Sequence, residues 1–362
     1  MAVVVQNARE HPEYCNLYNV YMFLSEMCKE QPDKSMLIDT FLESLPKTHP
    51  ANAAFAPAAI APSKTRASFF TSALNTLNLF TDTYMSSMMA DSEIFAEKIC
   101  TEKTALFMIL PDEKITFYGL CSLFVNQIYQ QFVSIADDNG GVLKKRVNFI
   151  LDEFGNFSAI PNFGGFLTVG GGRGIRFNMF LQSFAQLNDK YDENVAQNIL
   201  DNCYVWNYLK TSNETTAEKI SKKIGTYTTT TFSESSSLNN GGNSGSESSS
   251  MNLAQRALLT TDEILRINRP YLLVMCSGKD PAMTQAPDLS KWYFNRMLGL
   301  GDVNHNSEIR KAIQGAREVR SLKEPIVWNI AEETLEAKRK QKEEQQTARY
   351  RAINGDMGDY PV

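Results

Sequence analysis

The sequence predicts an α/β protein joined to an all-α part, on three observations. From Thr104 onward, apolar strand-like runs alternate with amphipathic helical segments, which implies a parallel sheet with helices on both faces. Residues 12–100 show helical spacing and hold no strand candidate. Residues 146–156 form a mostly apolar strand that ends in adjacent carboxylates, Asp152 and Glu153, with Gly155 two residues later. Open α/β sheets bind ligands at the carboxyl ends of their strands, so this acidic end marks the candidate site.

The helical part comes first. Tyr14, Leu17, Tyr21, Leu24 and Met27 recur every three to four residues and predict a helix. Asp33 or Ser35 is the candidate cap of a second helix carrying Met36, Leu37, Phe41 and Leu45. The Ala/Pro-rich stretch 50–62 predicts a break. Ser63 then opens a third helix with Phe69, Phe70, Leu74, Leu77 and Phe80 inward. Residues 105–110, stopped by Pro111 and Asp112, predict a strand. Leu120, Leu123, Phe124, Ile128, Phe132 and Ile135 predict a helix, and residues 137–141 a turn.

Further strands are predicted at 147–151, 175–181, 204–209 and 271–276, with helices at 188–200, 214–224 and 262–267. Residues 233–250, rich in Ser, Gly, Asn and Glu, predict a flexible loop that interrupts the domain. Residues 332–351 are dense in charge and predict a solvated helix or a disordered tail. The expected plan is an all-α domain over 1–100, an α/β core over 101–300 and a charged tail over 301–362.

Composition narrows the function classes. At 362 residues, 43% hydrophobic and 21% charged, the chain can bury a real core in about two domains. A net charge of -5 argues against a general nucleic-acid coat but leaves a local basic groove open. The six cysteines are scattered without a C-x-x-C spacing and read as reduced thiols. His11, His49 and His305 show no metal-ligand spacing, which speaks against a zinc enzyme or a histidine triad. There is no signal-peptide pattern. No apolar run approaches the roughly 20 residues that cross a bilayer, so the chain is expected to be soluble.

The acidic strand end carries the chemistry. Mg²⁺ takes hard oxygen ligands and keeps most of its waters, so Asp152 can hold it directly or through water. Glu153 can then orient and deprotonate an attacking water, the positioning task of phosphoryl transfer. A P-loop ATPase presents its two acids in this way; a strand running into an acidic turn is the structural alternative. Gln182 ends the next strand, where a neutral amide can sense a γ-phosphate or hold the water. A helix start capped by Ser183 is its alternative.

The glycine-rich stretch 169–176 lacks the lysine and hydroxyl of a phosphate loop and precedes a strand, so it is not one. Arg173 or Arg176 can reach a neighbouring subunit's nucleotide as an arginine finger, or can sit in a surface turn. Lys144, Lys145 and Arg146 are either phosphate contacts or a solvated strand edge. No G-x-x-x-x-G-K-[ST] loop occurs in the chain, which therefore carries half of an ATP site.

Taken in order, residues 106–112, 147–156, 173–177 and 181–187 resemble the TraG-like conjugative coupling proteins, the DNA-pumping ATPases of type IV secretion. Tyr191 and residues 199–203, 216–221 and 258–263 also fit, so the resemblance covers most of residues 1–295. It implies a RecA-like nucleotide-binding core interrupted by an all-α domain, with residues 12–100 in the place of that insert. It implies that the chain is the C-terminal portion of such a protein, beginning near the insert and lacking the phosphate-loop part.

Carried over residue by residue, Asp152 matches the Mg²⁺-associated acid, Glu153 the catalytic glutamate and Gln182 the strand-end sensor. Members often show Gly-Arg-x-x-Gly before the sensor strand, with the arginine acting in trans. Here Gly171 stands in its place and Arg173 is the nearest substitute. The resemblance further implies ATP and Mg²⁺, single-stranded DNA, relaxase or relaxosome proteins, type IV secretion channel proteins, a homo-hexamer and a place on the cytoplasmic side of the membrane. Two other classes stay open. One is a non-catalytic relaxase-binding adaptor. The other is an FtsK/HerA-like DNA translocase, which the helical insert argues against.

Overall fold

The N-terminal helical spacing is realised, but on a rotated face. The computed structural model describes residues 1–7, 10–31, 35–90, 94–110, 117–237, 246–299, 302–316 and 323–354. They fall into two compact units, residues 1–93 with 317–362, and residues 94–316. In the first unit, the helix Leu17–Met27 is capped by Asn16, whose side chain accepts the Asn19 amide. It buries Asn19, Val20, Phe23 and Met27; of the expected stripe, Met27 is buried and Leu24 packs against the core, while Tyr14, Leu17 and Tyr21 are half-buried.

The reason is a distant piece of chain. Asn19 is only 2% exposed, and its Nδ2 donates to the carbonyls of Tyr14 (3.1 Å) and Ile326 (2.8 Å). Its Oδ1 accepts from the Trp328 amide at 2.9 Å. Ile330 then enters the same core as Phe23, Met27 and Leu37. The stretch expected as a solvated helix or tail is the helix Ile330–Asn354, with Ile330, Ala331 and Thr334 buried in its first turns.

Two further expectations change here. The Ala/Pro-rich stretch is a helix, Pro50–Ala59, not a break. Pro50 opens it, where a missing N–H costs no intrahelical bond, and alanine is the best helix former. The His49 ring accepts the Ala51 amide at 3.0 Å. The helix Leu37–Ser44 starts from Met36 without a side-chain cap, and Asp33 lies outside the described residues. In the helix Ser63–Leu77, Phe70 stacks on Phe55 while Phe69 is half-exposed.

The second unit is built on the helix Tyr118–Asp138. It buries Tyr118, Cys121, Val125, Ile128, Tyr129, Phe132 and Ala136, a face of three-to-four spacing. That face packs in one core with the parallel pair β1 (Val147–Leu151) and β2 (Ile175–Met179). Their register runs from Val147 opposite Ile175 to Leu151 opposite Met179. Phe149 and Phe177 stack at 4.7 Å, and Phe132 meets Phe149 edge-on at 6.0 Å. The helix Phe163–Gly170 joins the same layer, with Phe166 stacked on Tyr129. The other face of the pair, Asn148, Ile150, Arg176 and Asn178, is exposed. Helices on both faces were expected; among the described residues only one face is covered.

β3 (Val205–Tyr208) stays off that ladder. β4 (Thr226–Ser237) and β5 (Ser246–Ala257) form an antiparallel ribbon of their own. β3 pairs instead with β6 (Tyr271–Cys276), which pairs with β7 (Ala282–Gln285), both antiparallel. Part of the predicted flexible loop is therefore ladder. Residues 233–237 pair with 246–250, and Ser233 and Ser250 share a 2.7 Å hydroxyl hydrogen bond. Residues 238–245 lie outside the described residues.

Among the described residues the predicted strand at 105–110 has no ladder partner, and Phe107 and Ile109 are 83% and 90% exposed. An apolar run becomes a strand only where an edge accepts it. Pro111 and Asp112 lie outside the described residues. Among the described residues, no helix is long and apolar enough to cross a membrane.

Asn19→Ala leaves buried backbone groups on two chain segments unpaired, so it should cost about 2–4 kcal/mol. Urea unfolding measures the loss, and hydrogen exchange at the Trp328 amide should accelerate; unchanged exchange there contradicts the tie. A second expectation concerns pH. Burial pushes the Cys28 thiol up to about 12 and those of Cys121 and Cys203 up to about 11. Burial likewise raises Tyr129, Tyr191 and Tyr208. The unfolded chain loses these protons first, so their contribution is complete below the ordinary thiol value of 9.0 and fades as pH rises toward the folded values. The urea midpoint should be lower at about pH 10.5 than at about pH 8.

Candidate functional site

The site is the rim where β1, β2 and β3 end. Backbone bonding runs past the β1–β2 ladder: the Phe180 amide donates to Leu151, and the Phe154 amide to Phe180 (3.1 and 3.0 Å). The two chains thus leave the sheet together. Asp152 and Glu153 follow β1 at once and are both exposed. The Glu153 amide donates to Asp152 Oδ1 at 3.1 Å. Glu153 sits in the left-handed region, with φ of 48°. A non-glycine residue pays roughly 1–3 kcal/mol there, which the surrounding bonds must offset.

The turn Phe154–Asn156 folds back on Glu153, and Asn156 Nδ2 donates to Glu153 Oε2 at 3.0 Å. Phe154 is buried against Phe157 and Phe163, which anchors the turn from below.

Gln182 is exposed three residues after β2. Its amide donates to Gln186 Oε1 at 3.0 Å, and its carbonyl accepts from Thr211 Oγ1 at 3.1 Å, beyond the end of β3. The Gln186 carboxamide lies directly over Gly155: a Cβ there would stand 2.4 Å from Gln186 Cδ. Gly155 is required for that close approach, and Gln186 links the turn after β1 to the turn after β2. The alternative cap role of Ser183 is not realised. The short helix Ala185–Asn188 is preceded by Phe184 without a side-chain cap.

The structure therefore brings together Asp152, Glu153 and Gln182 and leaves Arg173 apart. Arg173 precedes β2, at the opposite end, roughly 15 Å of strand away. Its Nη1 pairs with Asp137 and reaches the Val133 carbonyl at 3.5 Å. It fastens the end of the Tyr118–Asp138 helix instead of standing free for a neighbour's nucleotide. Arg176 is exposed on the bare face of β2, and Lys144, Lys145 and Arg146 form an exposed edge before β1. Among the described residues, no group of three or more His, Cys, Asp or Glu side chains is placed to enclose a metal ion.

A family model described as type IV secretory system conjugative DNA transfer matches residues 2–314. The chain belongs to this family. It is 27% identical over 228 residues to the protein VirD4 of Rhizobium rhizogenes, covering 61% of this chain and 32% of that protein. It is 27% identical over 224 residues to the conjugal transfer protein TraG of Escherichia coli, covering 58% and 34%. The chain thus spans about one third of the length of the curated relatives it matches. The bacterial conjugative coupling protein TrwBdeltaN70, in its unbound monoclinic form, aligns with a TM-score of 0.48 and 18% identity over 63% of this chain and 50% of that one. The family match favours the conjugative reading over an FtsK/HerA-like one.

The two acids and Gln182 were expected at strand ends; Asn156, Gln186 and Thr211, which bond to them, were not singled out. Gln186 had a signal, its place four residues after Gln182 at a helix start. Gly155→Ala should expel the Gln186 carboxamide and free the Gln182 amide. Because the displaced group is the tip of a flexible side chain, the stability loss should stay near 1 kcal/mol. Hydrogen exchange at Gln182 should rise clearly, and unchanged exchange contradicts the link.

Proposed function

We propose that this chain supplies the acid-bearing half of the ATP site of a conjugative DNA-transfer coupling protein with a RecA-like core. The single observation that carries the reading is the shared rim: Asp152 and Glu153 after β1 and Gln182 after β2, in a chain of this family. Strand ends of parallel sheets are where such proteins receive nucleotides.

The donor set at the rim fits Mg²⁺. It offers exposed carboxylate oxygens and no sulfur or imidazole, and Mg²⁺ accepts one or two carboxylates while keeping its waters. Asp152 would hold the ion, which when bound neutralises charge on the phosphates. Glu153 orients and deprotonates the attacking water, with Asn156 holding one of its carboxylate oxygens. Gln182, its backbone bonded on both sides, presents its side chain to the γ-phosphate. Arg173 is engaged with Asp137 at the far end of β2, away from that rim.

In the complete assembly, a homo-hexamer on the cytoplasmic side of the membrane would use ATP to move single-stranded DNA. The relaxosome would meet the helical unit, and the DNA would pass to the type IV secretion channel.

As given, the chain has no glycine-lysine loop to cradle phosphates. Purified alone, it should show no ATP hydrolysis above background in a coupled phosphate-release assay with Mg²⁺. Robust turnover abolished by Glu153→Gln would overturn the half-site reading.

A further inference from the structure

β4 and β5 form a two-stranded ribbon whose outer edges are both open among the described residues. Each strand is 12 residues long, and the ladder is continuous from Thr226 opposite Ala257 to Ser237 opposite Ser246. Soluble proteins guard such edges with lysine, proline or a bulge. This ribbon has no lysine, proline or glycine, and its register has no bulge. The threonines at 226 and 228–231, with Tyr227 and Phe232, suit an extended, pairing strand.

The bonding direction of the β5 edge follows from its ladder. In an antiparallel pair, alternate residues turn both N–H and C=O toward the partner. The Leu258 amide donates to the Gly225 carbonyl at 3.0 Å and continues the same register, so even-numbered residues of β5 face β4. Met251, Leu253 and the other odd-numbered residues turn their backbone groups outward. The same two residues carry an apolar patch. Met251 stands opposite Phe232, and Leu253 opposite Thr230, so the four share one face. Phe232, Met251 and Leu253 are 70%, 65% and 76% exposed.

We infer that the outer edge of β5 pairs with the same edge of a second copy of this chain. Two identical edges meet antiparallel about a two-fold axis. With Asn252 on that axis, Met251 of each copy lies opposite Leu253 of the other, and both belong to the outward-bonding set. Phe232, Met251 and Leu253 of the two copies then form one apolar patch across a four-stranded sheet. Beside it Ser250 meets Ala254 and Ser249 meets Gln255, so no like charges stand opposite each other. Other occupants fit less well. Glu234, Glu247 and Arg256 are the only charged residues of the ribbon, and Arg256 is paired with Glu263 at 2.7 Å. That leaves no cationic edge to hold a nucleic acid or an anionic lipid surface. The contact is isologous and closes a pair, unlike the head-to-tail contacts of a ring.

Sedimentation velocity of the full chain over a concentration series tests the pairing. A monomer–dimer equilibrium is expected, with a dissociation constant on the order of 10 µM for so small an interface. Exchange of the Met251 and Leu253 amides should slow as concentration rises, whereas that of Asn252, already turned to β4, should not change. Leu253→Lys should keep its melting temperature, because the side chain is exposed, and should weaken the dimer about ten-fold or more. In a Cys15→Ser background, Asn252→Cys should cross-link to a dimer on oxidation, because that position meets itself across the axis. Thr228→Cys, on β4, should not.

A monomer at every concentration, a dimer that Leu253→Lys leaves unchanged, or cross-linking of Thr228→Cys as fast as Asn252→Cys would overturn the inference. A dimer whose slowed exchange falls on residues 226–231 would assign the contact to β4 and overturn it as well.

Discussion

Val147–Leu151 and Ile175–Met179 lie in parallel register, and their hydrogen bonds continue through Leu151, Phe180 and Phe154 before either chain turns. Most of what is specific to the second unit depends on that continuation. It obliges the turn after β1 and the turn after β2 to share one rim. The register is held from below by stacked Phe149 and Phe177 and by the buried face of the Tyr118–Asp138 helix. A slip of β1 by one residue would turn Phe149 and Leu151 out of that core and Ile150 into it. The acids and Gln182 are neighbours because the aromatic core permits only one alignment.

Local devices then refine the rim. Glu153 accepts a left-handed backbone so that the short turn can bring Asn156 back to its carboxylate. Gly155 has no side chain so that Gln186 can lie across it. Thr211 and Thr216 bring the end of β3 to the same place. These are mostly neutral hydrogen bonds at an exposed surface. Each contributes little alone, and together they fix the order in which the carboxylates and the amide are presented. Nothing comparable surrounds Arg173, whose ion pair with Asp137 belongs to the far end of β2.

How much of this was legible in the sequence follows from the physics of each part. β1 and its acids were, because an apolar strand that ends in paired carboxylates announces both the sheet and the rim. The helix Tyr118–Asp138 was legible from its spacing, although its buried side is set by Cys121, Val125 and Tyr129 rather than by Leu123. The roles of Asn156 and Gln186 were not, since they arise from a turn geometry that composition does not encode. The ion pair of Arg173 with Asp137 was not legible, because the partner lies 36 residues back, beyond any local pattern. The segment around Ile330 was hidden by the charged helix it begins. That segment packs on Asn19, a polar residue the helical spacing passes over. Residues 233–250 read as a flexible loop, yet 233–237 and 246–250 pair in a continuous ladder.

We propose that the rim carries the metal- and water-directed groups of a nucleotide site, with the phosphate-binding ones not among them. Isothermal titration of the isolated chain with a non-hydrolysable ATP analogue and Mg²⁺ tests it most directly. No saturable binding is expected. Saturable binding in the micromolar range, lost in Asp152→Ala, would contradict it, because the chain would then hold a complete site of its own.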